Sequence, residues 1–337
     1  MATEVDISGV YTLVDLVKML NPQDGQLLFV AKTLARKNPI VKEVPIIEAN
    51  QLLTHVGSRQ GALPTVGKRA LNEGVVTAAH KSVNITAPMS LFETASQVDE
   101  EILRLAGANA VGVRQQKDAA FIEAMTQAVA DEIFYGNLGD DPLGFDGLAT
   151  MFNVSTDYPN GDSTWYYNVQ LNGGSGSDGT SIYIVEWGPE KVHLIYPKNT
   201  MGGIEITDRG AQWVAGSAAT KKFWAQVTQF KWRCGLFVAD ERCVQRIANV
   251  EMSGTDYIFN EDKIIASLER LPDSGENPLT RIYCNRTLKT QMRIRLKDKN
   301  NIHFTREQGL GGGGPVLAFD GVPIQVCDAI GVEATIS

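Results

Sequence analysis

The run from Arg114 to Tyr135, RQQKDAAFIEAMTQAVADEIFY, holds neither Gly nor Pro and is built mostly of strong helix formers. It reads as one unbroken helix. Phe121, Met125, Val129 (or Ala128) and Ile133 (or Glu132) trace a single apolar stripe along it. Gly136 follows as a natural C-terminal stop. At 1.5 Å per residue such a helix is roughly 33 Å long. That is the span of a whole domain, so the rest of the fold has to be arranged along it.

Ahead of this helix lies the opposite kind of sequence. Residues 40–56 (IVKEVPIIEANQLLTHV) and Ser82–Phe92 (SVNITAPMSLF) have extended character. Between them, SRQGALPTVGKRALNEGVVTAAHK (58–81) is punctuated by Gly61, Pro64, Gly67 and Gly74 and has few large apolar residues for a core. Two extended segments around such a stretch predict a long two-stranded excursion from the body, and loops of that length are usually functional. Its charge is basic: Arg59, Lys68, Arg69 and Lys81 against Glu73 alone. A basic projection on an acidic chain can dock on an acidic neighbour; the bland alternative is a solvated hairpin.

The first 40 residues read as an arm. Leu13, Val14, Val17 and Leu20 recur at helical spacing before Asn21-Pro22, and Leu27, Leu28, Ala31 and Leu34 do so before Asn38-Pro39. Two short amphipathic helices need a surface to lie on, either their own domain or a neighbouring copy. Ser96 is the expected cap of a short helix, with Asp99 and Glu100 in its first turn.

Beyond residue 140 strands dominate. TSIYIVEWGPEKVHLIYP contains two strand-like runs broken at Gly188-Pro189, a hairpin signal. Thr228–Asp240 and Arg281–Cys284 read as strands, Asn260–Leu271 and the TLKTQMRIRLKDK run as helices, and the end as a Gly-rich loop followed by strand–turn–strand. Helices and strands mix without βαβ alternation, so the class is α+β.

Composition removes several functions. The net charge is −8, from 31 basic and 39 acidic residues, which argues against holding nucleic acid by phosphate neutralisation. No apolar run approaches the roughly 20 residues of a membrane span, and the start of the chain does not read as a secretion signal. Cys234, Cys243, Cys284 and Cys327 lack CxxC spacing and are expected as buried thiols. Three Asn-x-Ser/Thr triplets, at Asn84, Asn153 and Asn285, are chance matches without a secretory route.

Catalytic patterns are missing too. His55, His80, His193 and His303 are scattered, with no HExxH, no GxSxG and no Walker motif. Asp99-Glu100-Glu101 and Asp140-Asp141 are ordinary surface acids. Gly309, Gly311 and Gly314 satisfy GxGxxG, but Pro315 and the strand-like VLAF follow where a dinucleotide-binding loop opens a helix. No enzyme, cofactor or metal is expected.

The order of parts is helical arm, strand, basic loop, strand, long helix, β-rich half, and a terminal AFDGVPIQVCDAI (318–330) with its Gly-x-Pro turn. It resembles the major capsid proteins of tailed bacteriophages, with their Hong Kong 97-type fold. The resemblance implies an N-terminal arm at 1–40 and a P-domain part at 41–160. That part would include an E-loop at 55–82 and a spine helix at 113–136. An A-domain at 161–290 and a return to the P-domain at 291–337 would complete the chain. It implies self-assembly into hexamers and pentamers of an icosahedral shell around double-stranded DNA, a virion location and assembly in the host cytoplasm. Intersubunit contacts are expected from the loop (Arg59, Lys68, Arg69, Glu73, Lys81) and from the arm (Leu13, Val17, Leu20). About 40 residues before the first strand imply a separate scaffolding protein; a portal protein, a possible decoration protein and DNA held without sequence-specific contact complete the partners, with no membrane. Some relatives weld subunits through a Lys–Asn isopeptide bond. Lys68 is the loop lysine such a bond would use, and no Asn is assignable to it. An encapsulin-like nanocompartment shell, a phage tail or adhesion protein and a dinucleotide-dependent oxidoreductase are the competing readings.

Overall fold

The Gly-free run forms the longest helix of the chain. The computed structural model describes residues 36–75, 77–154, 168–215, 222–295, 304–308 and 315–336. The arm positions Leu13, Val17 and Leu20 lie outside them.

In chain order the elements begin with α1 (Ile40–Glu43), β1 (Ile46–Glu48), β2 (Thr54–Ala62) and β3 (Lys81–Pro88). They continue with β4 (Ser90–Asp99), α2 (Glu100–Ala106), α3 (Ala110–Tyr135) and α4 (Leu148–Met151). Then come β5 (Val169–Leu171), β6 (Gly179–Glu186), β7 (Val192–Tyr196), β8 (Ile204–Ala215), β9 (Lys222–Val238) and β10 (Val244–Glu251). The last are α5 (Glu261–Glu269), β11 (Thr280–Cys284), α6 (Arg286–Arg295), β12 (Phe304–Gln308), β13 (Pro315–Phe319) and β14 (Val322–Val326). The described chain divides into two units, one holding residues 91–129, 203–215 and 222–233, the other the remainder.

In the first unit β4 and β8 flank β9. The β8–β9 ribbon runs antiparallel from Ile204↔Trp232 to Ala215↔Lys222, with a bulge between Asp208 and Gly210. Helix α3 packs through the expected stripe: Phe121 stacks on Phe230 at 5.9 Å between ring centres, and Met125 and Val129 are buried while Ala128 is exposed. Arg114 ties this helix to the ribbon, donating to Thr228 Oγ1 (3.0 Å) and pairing with Asp208 (2.7 Å). The helix begins at Ala110 rather than Arg114 because the corner at Gly107 (φ 55°) ends α2 early. The expected cap moves as well. Ser96 is buried inside β4, and Asp99 caps α2 by accepting from Glu101 N (2.9 Å). A carboxylate next to the first turn caps as Ser would and also favours the helix dipole.

The second unit is built on a seven-stranded sheet in the order β12-β13-β14-β11-β6-β10-β5. Every residue of its central strand β6 is buried. Ile182 and Ile184 face a core completed by Ile264 and Leu268 of α5, Leu288 and Met292 of α6, and Ile324 of β14. Tyr183 points the other way, onto Phe134 at 5.2 Å. The period-2 alternation of a strand thus feeds apolar groups to both faces. Gly136 ends α3 for reasons of space: its carbonyl accepts from Gly147 N (2.8 Å), and a Cβ there would lie 2.2 Å from Phe145 O. Asp320 (φ 46°) and Gly321 (φ 82°) turn β13 into β14, the left-handed pair that a two-residue hairpin demands.

Two sequence expectations fail here. The Gly188-Pro189 hairpin does not form: β6 pairs with β10 and β11, whereas β7 pairs with β1 and β9 in another sheet. A strand buried on both faces and both edges takes long-range neighbours, so the turn marks a change of sheet. Residues 40–43 form a single helical turn rather than extended chain. The GxGxxG residues 309–314 lie outside the described residues, but they join two antiparallel strands, β12 and β13, with no helix where a dinucleotide would need one. All four cysteines are free and buried. Burial pushes the thiols of Cys234, Cys284 and Cys327 up to about 12, which leaves them protonated and inert.

Candidate intersubunit surface

The two extended segments before the long helix pair as predicted. β2 and β3 run antiparallel from Thr54↔Pro88 to Ala62↔Lys81, with a bulge after Gln60. They form a sheet of their own, at about 3.4 Å per residue a ribbon about 30 Å long.

The root of this hairpin is held in several ways, all inside the second unit. Asn50 Nδ2 donates to Val56 O (2.7 Å) while its Oδ1 accepts from Val56 N (3.0 Å), so one side chain closes the entry turn. Ala49, Ala87, Ile195 and Phe237 form a small buried cluster, with Ile85 and Met89 against it. Gly57 lies so close over Phe237 that a Cβ would sit 2.3 Å from the ring. His55 and His193 edge onto the same ring, at 4.5 and 5.3 Å. Both histidines are held below the usual imidazole range, chiefly by burial, and for His193 also by its neighbour.

Arg59 belongs to this root. Its guanidinium donates to Ala239 O (3.1 Å) and Val238 O (3.0 Å) and pairs with Glu241. It is therefore held by its own chain, unlike the other basic residues expected at an intersubunit contact. Lys68, Arg69 and Glu73 lie on the loop between the strands, and Lys81 opens β3; all four are exposed. Among the described residues of the loop a turn occurs at Leu71-Asn72, with Asn72 in the left-handed region (φ 67°).

Sequence reasoning missed the loop's apolar content. Leu63, Val66, Leu71 and Val75 are between 68% and 95% exposed. Four large aliphatics in one basic loop form the kind of uncovered apolar surface that marks an interaction site. The signal was available in LPTVGKRALNEGVV, where these residues alternate with glycine and charge instead of following a helix or strand period.

No group of His, Cys, Asp or Glu side chains arranged to hold a metal occurs among the described residues, and no described helix is long and apolar enough to cross a membrane.

Comparison with known proteins agrees with this architecture. A chain from the cryo-EM structure of bacteriophage Epsilon15 superposes with a TM-score of 0.68 at 21% identity, over 100% of this chain and 99% of that one. A chain of the bacteriophage JBD30 capsid gives 0.50 at 12% identity, over 91% and 93%. Both show the fold, which is Hong Kong 97-like. No curated protein sequence matches. The family described as "Major capsid protein GP7" matches residues 22–336, which favours the capsid reading over the nanocompartment one. The chain belongs to that family, and is a structural protein whose copies assemble into the icosahedral shell of a phage virion.

Proposed function

We propose that the hairpin loop, residues 63–80, is a tether that gains its order from an adjacent copy and so locks hexamers and pentamers of a shell around double-stranded DNA. The observation that supports it is a firmly rooted hairpin ending in a loop with four exposed aliphatics and two cations that have no ion-pair partner among the described residues. The arm, through Leu13, Val17 and Leu20, adds a second reach across the subunit boundary, and the β-rich half (161–290) supplies contacts around each ring. A subunit held by several modest contacts gains by avidity, and heterologous contacts close when the rotation closes. A separate scaffolding protein templates assembly in the host cytoplasm, a portal protein occupies one vertex, and a decoration protein can coat the finished shell. With a net charge of −8, the shell contains DNA without condensing it.

The test replaces residues 63–80 by a short Gly-Ser turn in the full chain. The subunit should melt within a few degrees of the parent, while electron microscopy should show no closed shells. Normal shells at normal yield would sink the reading.

A further inference from the structure

The loop must dock on something, and the first unit offers one surface with matching chemistry. Helix α2 turns Ile102 and Ala106 inward, packed with Val98 of β4 and Val113 of α3. Its outward face carries Glu101 and Leu105, one helical turn apart and hence neighbours. Past the Gly107 corner, Val111 of α3 is exposed as well. Leu105 is 66% exposed and Val111 68%. The segment 99–106 holds Asp99, Glu100 and Glu101 against Arg104, a net of −2, and the ion pair Glu101–Arg104 within it is open to water on both sides. The loop 63–80 holds Lys68 and Arg69 against Glu73, a net of +1. Aliphatics accompany the charge on both surfaces.

We infer that the corner of α2 and α3 — Glu100, Glu101, Leu105 and Val111 — is the seat for the 63–80 loop of a second copy, with Lys68 and Arg69 over the carboxylates and the loop aliphatics over Leu105 and Val111. This rests on the tether reading above and gives it an address. The two parts of the contact have different tasks. Exposed ion pairs contribute little to holding a complex but raise the rate at which partners meet in the right orientation. The aliphatics exclude water once the surfaces have met. The two acids also sit in the first turn of α2, where they favour the helix dipole. For that reason charge reversal and charge removal need separate variants.

A charge exchange in the full chain tests the seat, with assembly followed by light scattering and electron microscopy. K68E/R69E and E100K/E101K should each slow assembly by about tenfold at low salt, and by less at high salt, where screening removes the steering. The two combined in one chain should assemble faster than either alone. A combined variant no better than its worse parent would overturn the seat while leaving the tether reading intact. Wild-type assembly by K68E/R69E alone would overturn both. If E100K/E101K fails to fold, E100Q/E101Q takes its place and should slow assembly, with the salt dependence weakened; assembly as fast as wild type would count against the seat. L105S/V111S gives an uncharged arm. Its subunits should melt as wild type yet give few closed shells, and an unchanged shell yield would overturn the apolar half of the contact.

Discussion

Strand β6 and the loop 63–80 use apolar residues in opposite ways. All eight residues of β6 are buried, among them Ile182, Ile184 and Val185. The loop holds five aliphatics of similar size, and the four among its described residues, Leu63, Val66, Leu71 and Val75, are all left exposed. The difference lies in what surrounds each segment. β6 has β10 and β11 on its edges and side chains on both faces, so its order is settled within one chain. Among the described residues, the loop has no ladder partner past Ala62 and Lys81. Burying its aliphatics would stabilise by about 1.5–3 kcal/mol each, whereas fixing backbone costs about 1–2 kcal/mol per residue. Side-chain burial alone therefore cannot order the whole loop. A neighbour has to supply backbone hydrogen bonds too, or seize only a few residues. On the proposed tether reading, the body keeps one structure in every copy of the shell while the loop takes its order from the copy beside it.

The largest effect belongs to the buried region. Arg246 and Glu333 pair at 2.5 Å with both side chains almost fully buried, and Arg246 also donates to Phe152 O (2.6 Å) and Ser181 Oγ (3.0 Å). Tyr135 and Tyr183 donate to the same carboxylate at 2.9 and 2.8 Å. Replacing Arg246 by Ala leaves a buried carboxylate without its cation. We expect the unassembled subunit to lose about 3–5 kcal/mol in urea unfolding. A loss below about 1 kcal/mol, the scale of an exposed pair, would mean that this part of the body is no more rigid than the loop.

A smaller effect belongs to the boundary between the two regions. Ala at Gly57 puts a methyl group against the Phe237 ring, whose neighbours Ala87 and Ile195 leave it little room. Overpacking of this kind costs about 1–3 kcal/mol. Because strands otherwise prefer residues with a Cβ, a stabilised Gly57→Ala variant would show that the hairpin root is loose.

Sequence made the long helix legible because one stripe, Phe121 to Ile133, keeps a single period within a run of good helix formers about six turns long. The hairpin was legible for a different reason: glycines and a proline rule out any other element between the strands. Pairing choices were not legible. Every position of β6 faces core, so nothing in SIYIV says which strand lies beside it, and the Gly188-Pro189 signal pointed to the nearest one. The part played by Arg59 was hidden because its partners, Val238, Ala239 and Glu241, are remote in sequence. Charge alone grouped it with Lys68 and Arg69. Ser96 illustrates a local ambiguity, since Ser and Asp both cap helices and only the length of β4 selects Asp99.

Acid should weaken the root more than the body's sheet. His55 accepts a hydrogen bond from Asn50 N (3.3 Å), and His193 Nδ1 lies 3.3 Å from Gly188 O; burial holds both rings neutral. A histidine with a depressed folded value contributes stability that is fully present above its ordinary value of about 6.5 and is lost as pH falls toward the folded value. Protease cleavage at the hairpin base should accordingly rise as the pH falls below about 6.5, where the opened base takes up protons that the folded rings resist. His193→Gln, which carries no titratable proton, should flatten that rise. An identical pH profile in the variant would remove the histidines from the explanation.

The smallest expected change in stability falls on the loop itself. Leu71 is 95% exposed and Val66 92%, so replacing either with Ser removes almost no buried surface, and the unassembled subunit should unfold within about 0.5 kcal/mol of wild type. The same substitutions should lower the yield of closed shells, because in the assembled state these side chains are the ones covered by the neighbour. The two measurements must part company. If Leu71→Ser shifts subunit stability by more than about 1 kcal/mol, beyond what an exposed site normally does, the loop is already packed on its own chain and the contrast with β6 disappears. If stability and shell yield are both unchanged, the exposed aliphatics of the loop have no part in joining one copy to the next.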